Sequence, residues 1–370
     1  MRKTIKQTKR WVIKVGSALL TDDGQGLNTE LIKQLAGQIN YLRENKVEVI
    51  LVSSGSIVAG MSQLGMEVRP KRISELQAAA AVGQASLVRQ YEEAFEPFSI
   101  NIAQILLTHA DISNRERYLN ARSTLSTLLQ LKVLPVINEN DSVATDEICF
   151  GDNDNLASLV ANLIDAETLI LLTDQDGLFT ADPRIDQTAT LLSEVDVDDP
   201  ELQTMAAGGS SLGRGGMLTK VAAAKSASRS GASTIIANGR VEDILIKVYQ
   251  GNEIGTFLPA KQRISSKKQW IAGQMKAVGS VVIDQGAVDV LINKGKSLLA
   301  VGITEVLGEF TRGELITCVD EAGSEIARGL TNYSAIEVGL LKGQPSDKTS
   351  DILGYSGDDE IIHRDNLVLK

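Results

Sequence analysis

Cysteine and histidine are scarce in this chain, which narrows the chemistry available to it. The 370 residues include two cysteines, Cys149 and Cys318, and two histidines, His109 and His363. The cysteines lie far apart and show no Cys-x-x-Cys or Cys/His spacing, so the sequence predicts neither a disulfide framework nor a zinc site. Neither histidine has an evident serine, cysteine or metal partner, and we predict that both are structural.

Aromatic residues, positive charge and long hydrophobic runs are also in short supply. Aromatic residues make up 4% of the chain, so the core is expected to be aliphatic, and the net charge is −10. That charge argues against a nucleic-acid-binding or anionic-membrane-binding role for the whole chain. No segment approaches the ~20 apolar residues of a membrane span. Lys14 interrupts the apolar stretch after the basic N-terminus, which is untypical of a signal peptide, and we expect a cytoplasmic location.

Short apolar, β-branched runs alternate with helix-like stretches through about residue 255. The predicted strands cover residues 11–15, 47–52, 100–107, 133–138, 168–173 and 233–238. Apolar runs that alternate with amphipathic helices are typical of βαβ units. The sequence therefore predicts an α/β fold with an open, mostly parallel sheet sandwiched by helices.

The pattern changes after residue 258, which predicts a second domain. Residues 259–276 are basic and resemble a connector, and from 277 short strands alternate with glycine turns. This spacing is typical of a small, mainly-β domain. We expect a catalytic domain over 1–258, a linker over 259–276, a β-rich domain over 277–356 and a C-terminal tail over 357–370.

Polar or glycine-rich residues follow several predicted strands. In open parallel sheets, ligands bind beyond the carboxyl ends of the strands. The residues that follow these strands are therefore predicted to line one binding crevice, although they are distant in sequence. Lys14 in the first strand either meets a phosphate there or extends to solvent. The turn "SSGS" (53–56) either binds an anion through backbone N–H groups or simply joins strand to helix. Asp174 and Asp176 either bind a ribose, a metal or water, or form a turn.

Two further stretches are unusual in composition. "INENDSVATDEICFGDNDN" (137–155) is crowded with Asn, Asp and Glu, yet it lacks the glycine and glutamate of a calcium-binding EF-hand loop. "DNDN" suits a helix N-cap, but four such residues exceed what capping requires. "GGSSLGRGGMLTK" (208–220) is not a Walker A loop, because Thr219 precedes Lys220 where glycine is required. It is either a surface loop or a backbone cradle for phosphates.

Taken together, these motifs resemble the amino acid kinase family, and within it the members that phosphorylate glutamate. The resemblance is carried by "KVGSALL" (14–20), "VILVSSGSIVAG" (49–60), "VINENDSVAT" (136–145), "GDNDN" (151–155), "LLTDQDGLFTADPR" (171–184) and "GRGGMLTK" (213–220). "KGKSLLAVGITEVLGEFTRGELI" (294–316) resembles a PUA domain. The resemblance implies the amino acid kinase fold followed by a small, mainly-β PUA domain.

The resemblance also implies an activity. It implies transfer of the ATP γ-phosphoryl group to the side-chain carboxylate of L-glutamate, giving L-glutamyl 5-phosphate and ADP, in the first step of L-proline biosynthesis. A carboxylate is ionised at neutral pH and needs no general base, so positioning and charge neutralisation suffice, which fits the scarcity of histidine. Mg²⁺ is expected to be carried mainly by ATP, with no metal ligands in the chain. A homo-oligomer, dimer or tetramer, and feedback inhibition by L-proline are further expectations.

The site residues follow from the motif match. Catalysis is assigned to Lys14 and Lys220, which flank the transferring phosphoryl group, and to Asp154, which holds them. Glutamate is expected to contact Ser54, Gly55, Asp141 and Asn153, with Asp141 facing its ammonium. Gly16 and Gly55 are expected to offer backbone N–H groups. The nucleotide is expected to contact Lys14, Gly16, Thr173, Asp174, Arg214, Gly215, Gly216, Met217, Leu218, Thr219 and Lys220. Arg214 lies in the glycine-rich loop at a position where the family usually has a small residue. Its positive charge either adds a phosphate contact or faces solvent.

Two alternatives stay open at this point. The first is a kinase of the same fold for another acceptor, such as N-acetylglutamate, aspartate, carbamate or UMP. Asp141 distinguishes these acceptors, because a carboxylate pairs with a free ammonium group and has no such role toward an acetylated amine. The second is an RNA-binding regulator, since PUA domains elsewhere bind RNA. Residues 277–370 hold fifteen Asp and Glu against eight Lys and Arg, and an acidic domain is a poor binder of phosphate backbones.

Overall fold

The computed structural model describes residues 2–21, 26–144, 153–200, 202, 216–260 and 277–370. The chain divides into two compact units. The first comprises Met1–Ser113 and Asn120–Arg263, and the second comprises Asn114–Leu119 and Ile264–Lys370. The domain boundaries expected from the sequence stay predictions.

A seven-stranded sheet forms the first unit. Its strands are β1 (Arg10–Val15), β2 (Glu48–Ser53), β3 (Ile102–Leu107), β4 (Leu134–Glu139), β5 (Thr168–Thr173), β6 (Ser233–Asn238) and β7 (Thr256–Leu258). The order is β3-β4-β2-β1-β5-β6-β7. All pairs are parallel except β6 with β7. The predicted mostly parallel sheet is confirmed, and β4 and β5 are buried along their whole length, which explains their uninterrupted apolar sequences.

Helices cover both faces of this sheet. They are α1 (Ser17–Leu20), α2 (Thr29–Glu44), α3 (Ser56–Gln63), α4 (Ile73–Phe95), α5 (His109–Ser113), α6 (Arg115–Gln130), α7 (Asn153–Leu163), α8 (Met217–Arg229) and α9 (Ile244–Tyr249). On one face, α2, α4 and α9 bury an aliphatic core with Trp11, Tyr91 and Phe95 at its centre. On the other face, α7 and α8 pack together against β1, β5 and β6.

The close approach of α3 to α4 requires two glycines. A Cβ atom at Gly60 would lie 1.7 Å from the carbonyl oxygen of Ala79, and one at Gly83 would lie 1.9 Å from that of Ser56. No side chain fits at such distances, so the two helix backbones are in direct contact. This contact holds the start of α3 and the middle of α4 together, just beyond the end of β2.

The second unit contains a five-stranded sheet and its own core. The strands are β8 (Gly279–Ile283), β9 (Ile303–Gly308), β10 (Leu315–Val319), β11 (Glu325–Leu330) and β12 (Leu367–Leu369), in the order β12-β11-β10-β8-β9. The described residues of this unit also form the helices α10 (Gln285–Lys294), α11 (Ala335–Leu341) and α12 (Thr349–Leu353). Cys318 and Tyr333 lie in the buried core.

The last residues of the chain belong to this second unit. Residues 357–370 were predicted as a tail, but β12 pairs with β11, and Ile361 and Ile362 are buried in the core. The alternation of β12 is too short to be recognised from sequence, because three residues carry little periodicity. Among the described residues, no helix is both long and apolar enough to cross a membrane.

Candidate active site

Four parallel strands end at the same edge of the first sheet. β4, β2, β1 and β5 are neighbours in that order, and their carboxyl ends lie at Glu139, Ser53, Val15 and Thr173. This edge is where an open parallel sheet binds its ligands. The segments that leave these strands carry Ser54, Asp141 and Asp174, as the sequence predicted.

A buried carboxylate between two lysines lies next to this edge. Nζ of Lys14 is 2.7 Å from Oδ1 of Asp154, and Nζ of Lys220 is 3.1 Å from Oδ2. Lys14 comes from β1, Asp154 from the first turn of α7, and Lys220 from the first turn of α8. The structure thus brings together the three residues predicted for catalysis, from segments far apart in sequence.

The electrostatics of this cluster follow from its burial. Burial alone would raise the pKa of Asp154, but the charges of Lys14 and Lys220 outweigh it and lower that pKa to about 2. Burial lowers the pKa of Lys220, and Asp154 opposes part of that effect. Two buried ammonium groups therefore meet at one carboxylate, and the charge of Asp174 also acts on Lys220. Such a site attracts an anion more strongly than the same charges would in water.

Thr219 takes part in the same cluster. Its hydroxyl donates to Oδ2 of Asp154 at 2.7 Å, a contact that the sequence did not predict. Gly216 precedes α8 as its N-cap, and the Leu218 side chain is exposed. Arg214 and Gly215 lie outside the described residues, so their assignments to the nucleotide stay predictions.

The two glycines predicted to offer backbone N–H groups differ in their surroundings. The N–H of Gly16 donates to the carbonyl of Leu172 at 3.1 Å, so this N–H already has a backbone partner, and the assignment of Gly16 to the nucleotide stays a prediction. This N–H continues the ladder between β1 and β5. A Cβ at Gly16 would lie 3.8 Å from Nζ of Lys14, so glycine leaves space beside that ammonium. Gly55 has φ +102°, in the left-handed region, between β2 and α3.

At the end of β5, Thr173 and Asp174 contact each other. The Thr173 hydroxyl donates to Oδ1 of Asp174 at 3.0 Å. Thr173 is buried and Asp174 is exposed. Both lie at the carboxyl edge of the sheet, as expected for residues that meet a nucleotide.

Asp141 is a buried carboxylate whose two oxygens differ in their hydrogen bonding. The Ser56 hydroxyl donates to Oδ2 at 3.2 Å, whereas Oδ1 has no hydrogen-bond partner in the described part of the chain. Burial raises the pKa of Asp141 to about 6, although the Ser56 hydroxyl and the charge of Arg69 oppose this. A buried carboxylate with an unused acceptor fits a cationic donor.

Asn153 presents a second unused acceptor. Its Nδ2 lies 2.7 Å from Oγ of Ser54, 3.0 Å from the carbonyl oxygen of Ser53 and 3.0 Å from Oδ1 of Asn138. Within residues 2–21, 26–144, 153–200 and the other described ranges, its own Oδ1 is buried without a partner. Ser54 and Ser56 belong to one turn and contact Asn153 and Asp141 respectively. The two unused oxygens therefore belong to one side of the site.

Sequence reasoning missed three residues that support this site. They are Ser56, Asn138 and Gln84, whose Oε1 accepts from Nδ2 of Asn138 at 2.7 Å. Asn138 is buried near the end of β4, and an amide in an otherwise apolar strand was a usable signal. Asn155 hydrogen-bonds the Ser158 hydroxyl through its backbone carbonyl, and Asp152 lies outside the described residues.

Two other sequence predictions concern histidine and metal ligands. Nδ1 of His363 accepts from the backbone N–H of Asp365, which is a structural contact, and His109 begins α5. The described residues contain no group of three or more His, Cys, Asp or Glu that could hold a metal ion.

Comparison with known proteins agrees with this geometry. The model of the amino acid kinase family matches residues 9–238, and the PUA domain model matches residues 279–353. Proteins named glutamate 5-kinase from Paraburkholderia phymatum and Burkholderia mallei are each 57% identical to this chain over 371 residues, covering 100% of both chains.

Two solved structures are distantly similar. A UMP kinase from Bacillus anthracis has a TM-score of 0.49 at 14% identity, covering 69% of this chain and 97% of its own. An isopentenyl phosphate kinase from T. acidophilum has a TM-score of 0.46 at 14% identity, covering 68% of this chain and 100% of its own. These similarities are too weak to support an argument about function. The family matches and the full-length relatives show that the chain belongs to the amino acid kinase family and carries a C-terminal PUA domain.

Proposed function

We propose that this chain catalyses the ATP-dependent phosphorylation of the side-chain carboxylate of L-glutamate. The products are L-glutamyl 5-phosphate and ADP, and the reaction is the first step of L-proline biosynthesis. The name of its full-length relatives supports this. The observation that carries the proposal is that Lys14 and Lys220 meet on Asp154 beside two buried, unused acceptors, on Asp141 and Asn153.

The lysine pair suits the phosphoryl-transfer step. Negative charge on the transferring group must be neutralised as it passes between ATP and the acceptor carboxylate. Lys14 and Lys220 supply two ammonium groups at one point, and because both are buried their effect exceeds that of surface lysines. Asp154 stays ionised at neutral pH, since its pKa is about 2. It therefore keeps both cations in place without taking part as a base.

The acceptor side suits an amino acid with a free ammonium. Oδ1 of Asp141 and Oδ1 of Asn153 can each accept an N–H from a cationic amine, and an acetylated amine has neither the charge nor enough N–H groups. Ser54 and the backbone of Gly55 complete this side in our proposal. Anchoring the α-ammonium there directs the other carboxylate toward the lysines, and such positioning lowers the entropic part of the barrier.

The nucleotide side is proposed from the motif match. Thr173, Asp174 and the segment from Arg214 to Lys220 would bind ATP. The N-terminus of α8, a helix of 13 residues, directs backbone N–H groups and a partial positive charge toward bound phosphates. Mg²⁺ would enter with ATP and be held mainly by its phosphates.

We also infer the surrounding organisation. The catalytic domain is proposed to cover 1–258, with a linker over 259–276 and a PUA domain from 277 to 356, and the family matches over 9–238 and 279–353 support this division. The structure adds β12 to the sheet of the second unit. A cytoplasmic location, a dimer or tetramer, and inhibition by L-proline are proposed from the family resemblance. Sedimentation velocity tests the oligomeric state. An unchanged rate of ADP release at millimolar L-proline would contradict the proposed inhibition.

One experiment tests the activity directly. ADP release is measured with Mg·ATP and a panel of acceptors: L-glutamate, L-aspartate, N-acetylglutamate, carbamate and UMP. We expect release with L-glutamate, together with an acyl phosphate that hydroxylamine traps as a hydroxamate. Equal or faster release with N-acetylglutamate or UMP would show that the acceptor assignment is wrong.

A further inference from the structure

A chain of three amide side chains connects α4 to the acceptor site. Oε1 of Gln84 accepts from Nδ2 of Asn138 at 2.7 Å, and Oδ1 of Asn138 accepts from Nδ2 of Asn153 at 3.0 Å. Gln84 is half-buried, while Asn138 and Asn153 are each 1% exposed. Because each amide has a donor end and an acceptor end, a chain of this kind has a direction.

Two backbone groups set that direction. The N–H of Glu139 donates to Oδ1 of Asn138 at 2.9 Å, and the carbonyl of Ser53 accepts from Nδ2 of Asn153 at 3.0 Å. A backbone N–H cannot accept and a backbone carbonyl cannot donate, so neither asparagine can turn over without a donor facing a donor or an acceptor facing an acceptor. Nδ2 of Asn138 is thereby directed away from the site, toward Gln84.

Gln84 therefore supplies the acceptor for Nδ2 of Asn138. Gln84 follows Gly83 on α4, where the helix backbone touches that of Ser56, so the backbone that carries Gln84 is held against α3. A buried N–H needs an acceptor, so without Gln84 the Asn138 side chain loses the contact that fixes its Nδ2. Its oxygen is then held less firmly against Nδ2 of Asn153.

We propose that Gln84 is a positioning residue that acts through Asn138 to hold the Asn153 carboxamide with its oxygen toward the α-ammonium of the acceptor. Gln84 does not contact the substrate in this arrangement. Its effect is confined to acceptors that carry a free, positively charged amine. This inference rests on the proposed function and adds to it the residues that set the preference for that amine.

The test compares two variants of matched size. Gln84→Met keeps the length of the side chain and removes the acceptor, whereas Gln84→Glu keeps an acceptor oxygen. We expect Gln84→Met to raise the KM for L-glutamate about fivefold, the effect of weakening one hydrogen bond. The kcat and the KM for ATP are expected to change less than about twofold. Gln84→Glu is expected to retain a KM close to that of the unmodified chain.

Glutarate separates positioning from a general structural effect. It has the carboxylates of glutamate without the amine, so its inhibition constant is expected to be the same for the unmodified chain and for Gln84→Met. An unchanged KM for glutamate in Gln84→Met would overturn the inference, and so would an equal weakening of glutarate. Glutamate binding is also measured by calorimetry without ATP. If the unmodified chain neither binds nor phosphorylates glutamate, the proposed function fails as well; if it does both and Gln84→Met matches it, only this inference fails.

Discussion

Lys14 and Lys220 contact opposite oxygens of one carboxylate, that of Asp154, at 2.7 and 3.1 Å. Each ammonium is therefore held by the same anion, and that anion offsets the repulsion between the two like charges. Asp154 thus fixes the spacing between the two ammonium groups. This relationship determines what the first two predictions measure.

Removal of either lysine is expected to affect turnover more than binding. Lys14→Ala and Lys220→Ala should each lower kcat by about 10²–10³, because the charge that they meet grows in the transition state. The KM for glutamate should change far less. Steady-state kinetics with both substrates varied give the two constants.

Lys225 provides a matched control on the same helix. It lies on α8 with a side chain 45% exposed, in an ion pair with Asp198. Lys225→Ala should keep kcat within about twofold, because an exposed pair contributes little. Near-normal turnover in Lys14→Ala or Lys220→Ala would contradict the catalytic assignment.

Loss of the shared carboxylate is expected to destabilise the first unit. Asp154→Asn leaves two buried cations without their anion, and breaking a buried ion pair from one side costs about 3–5 kcal/mol. Urea denaturation measures the change in the free energy of unfolding. Asp198→Asn, at the exposed pair on α8, should change that energy by less than about 1 kcal/mol. Equal values for the two variants would show that Asp154 is not a structural anion.

Glutamate binding is expected to weaken below pH 6. The pKa of Asp141 is raised to about 6 in the free protein, so at lower pH its carboxyl is neutral and cannot pair with an ammonium. The KM for glutamate should then rise, by up to about tenfold per pH unit. In Asp141→Asn the KM should be high and should lose this dependence. Measurement of the KM for glutamate between pH 5 and pH 8, in the unmodified chain and in Asp141→Asn, tests both expectations.

The same residue links pH to stability in the free protein. A carboxyl whose pKa is raised on folding from 3.8 to about 6 stabilises the fold below pH 3.8 and loses that contribution as the pH rises through 6. Glutamate binding near pH 6 should release a proton from Asp141. Calorimetry in buffers of different ionisation enthalpy measures this release, and no release would count against an ion pair between Asp141 and the substrate.

The helix contact at Gly83 is expected to tolerate no side chain. In Gly83→Ala the new methyl group would overlap the carbonyl of Ser56, forcing α3 away from α4 at a cost of about 1–3 kcal/mol. Since Ser56 also donates to Asp141, glutamate binding should weaken together with stability.

Gly339 gives the opposite case. It lies on α11, and a Cβ there would have no neighbour within 4 Å. Gly339→Ala should raise the free energy of unfolding of the second unit by up to about 1 kcal/mol, because alanine favours the helix. Thermal unfolding of both variants makes the comparison. A stable Gly83→Ala protein with normal glutamate affinity would contradict the role of the α3–α4 contact.

Six strands of the first sheet could be predicted because their sequences are apolar and rich in β-branched residues, and β4 and β5 are buried along their whole length. Six apolar runs were placed within two residues of the observed strands, and the lysines and carboxylates came from motifs at their ends. The short strand β7 has three residues and runs antiparallel, so neither length nor periodicity marked it. β12 was not predicted from the sequence for the same reason.

The side-chain contacts in the site were harder to predict than the identity of the residues that form it. That the N–H of Gly16 is used by Leu172 depends on the pairing of β1 with β5, which brings together residues far apart in sequence. The link from Gln84 to Asn153 passes through Asn138, and each step depends on amide direction. Composition and spacing contain no information on which way an amide faces.

The position of Lys220 in the chain has a consequence for synthesis. Asp154 and Lys14 are made early, and by themselves they form a neutral pair. The second lysine joins Asp154 only when α8 has been made and has docked against α7, after five of the seven strands of the first sheet have been made. Contacts between such distant segments form late in folding. A chain that ends before α8 therefore lacks one of the two lysines that contact Asp154.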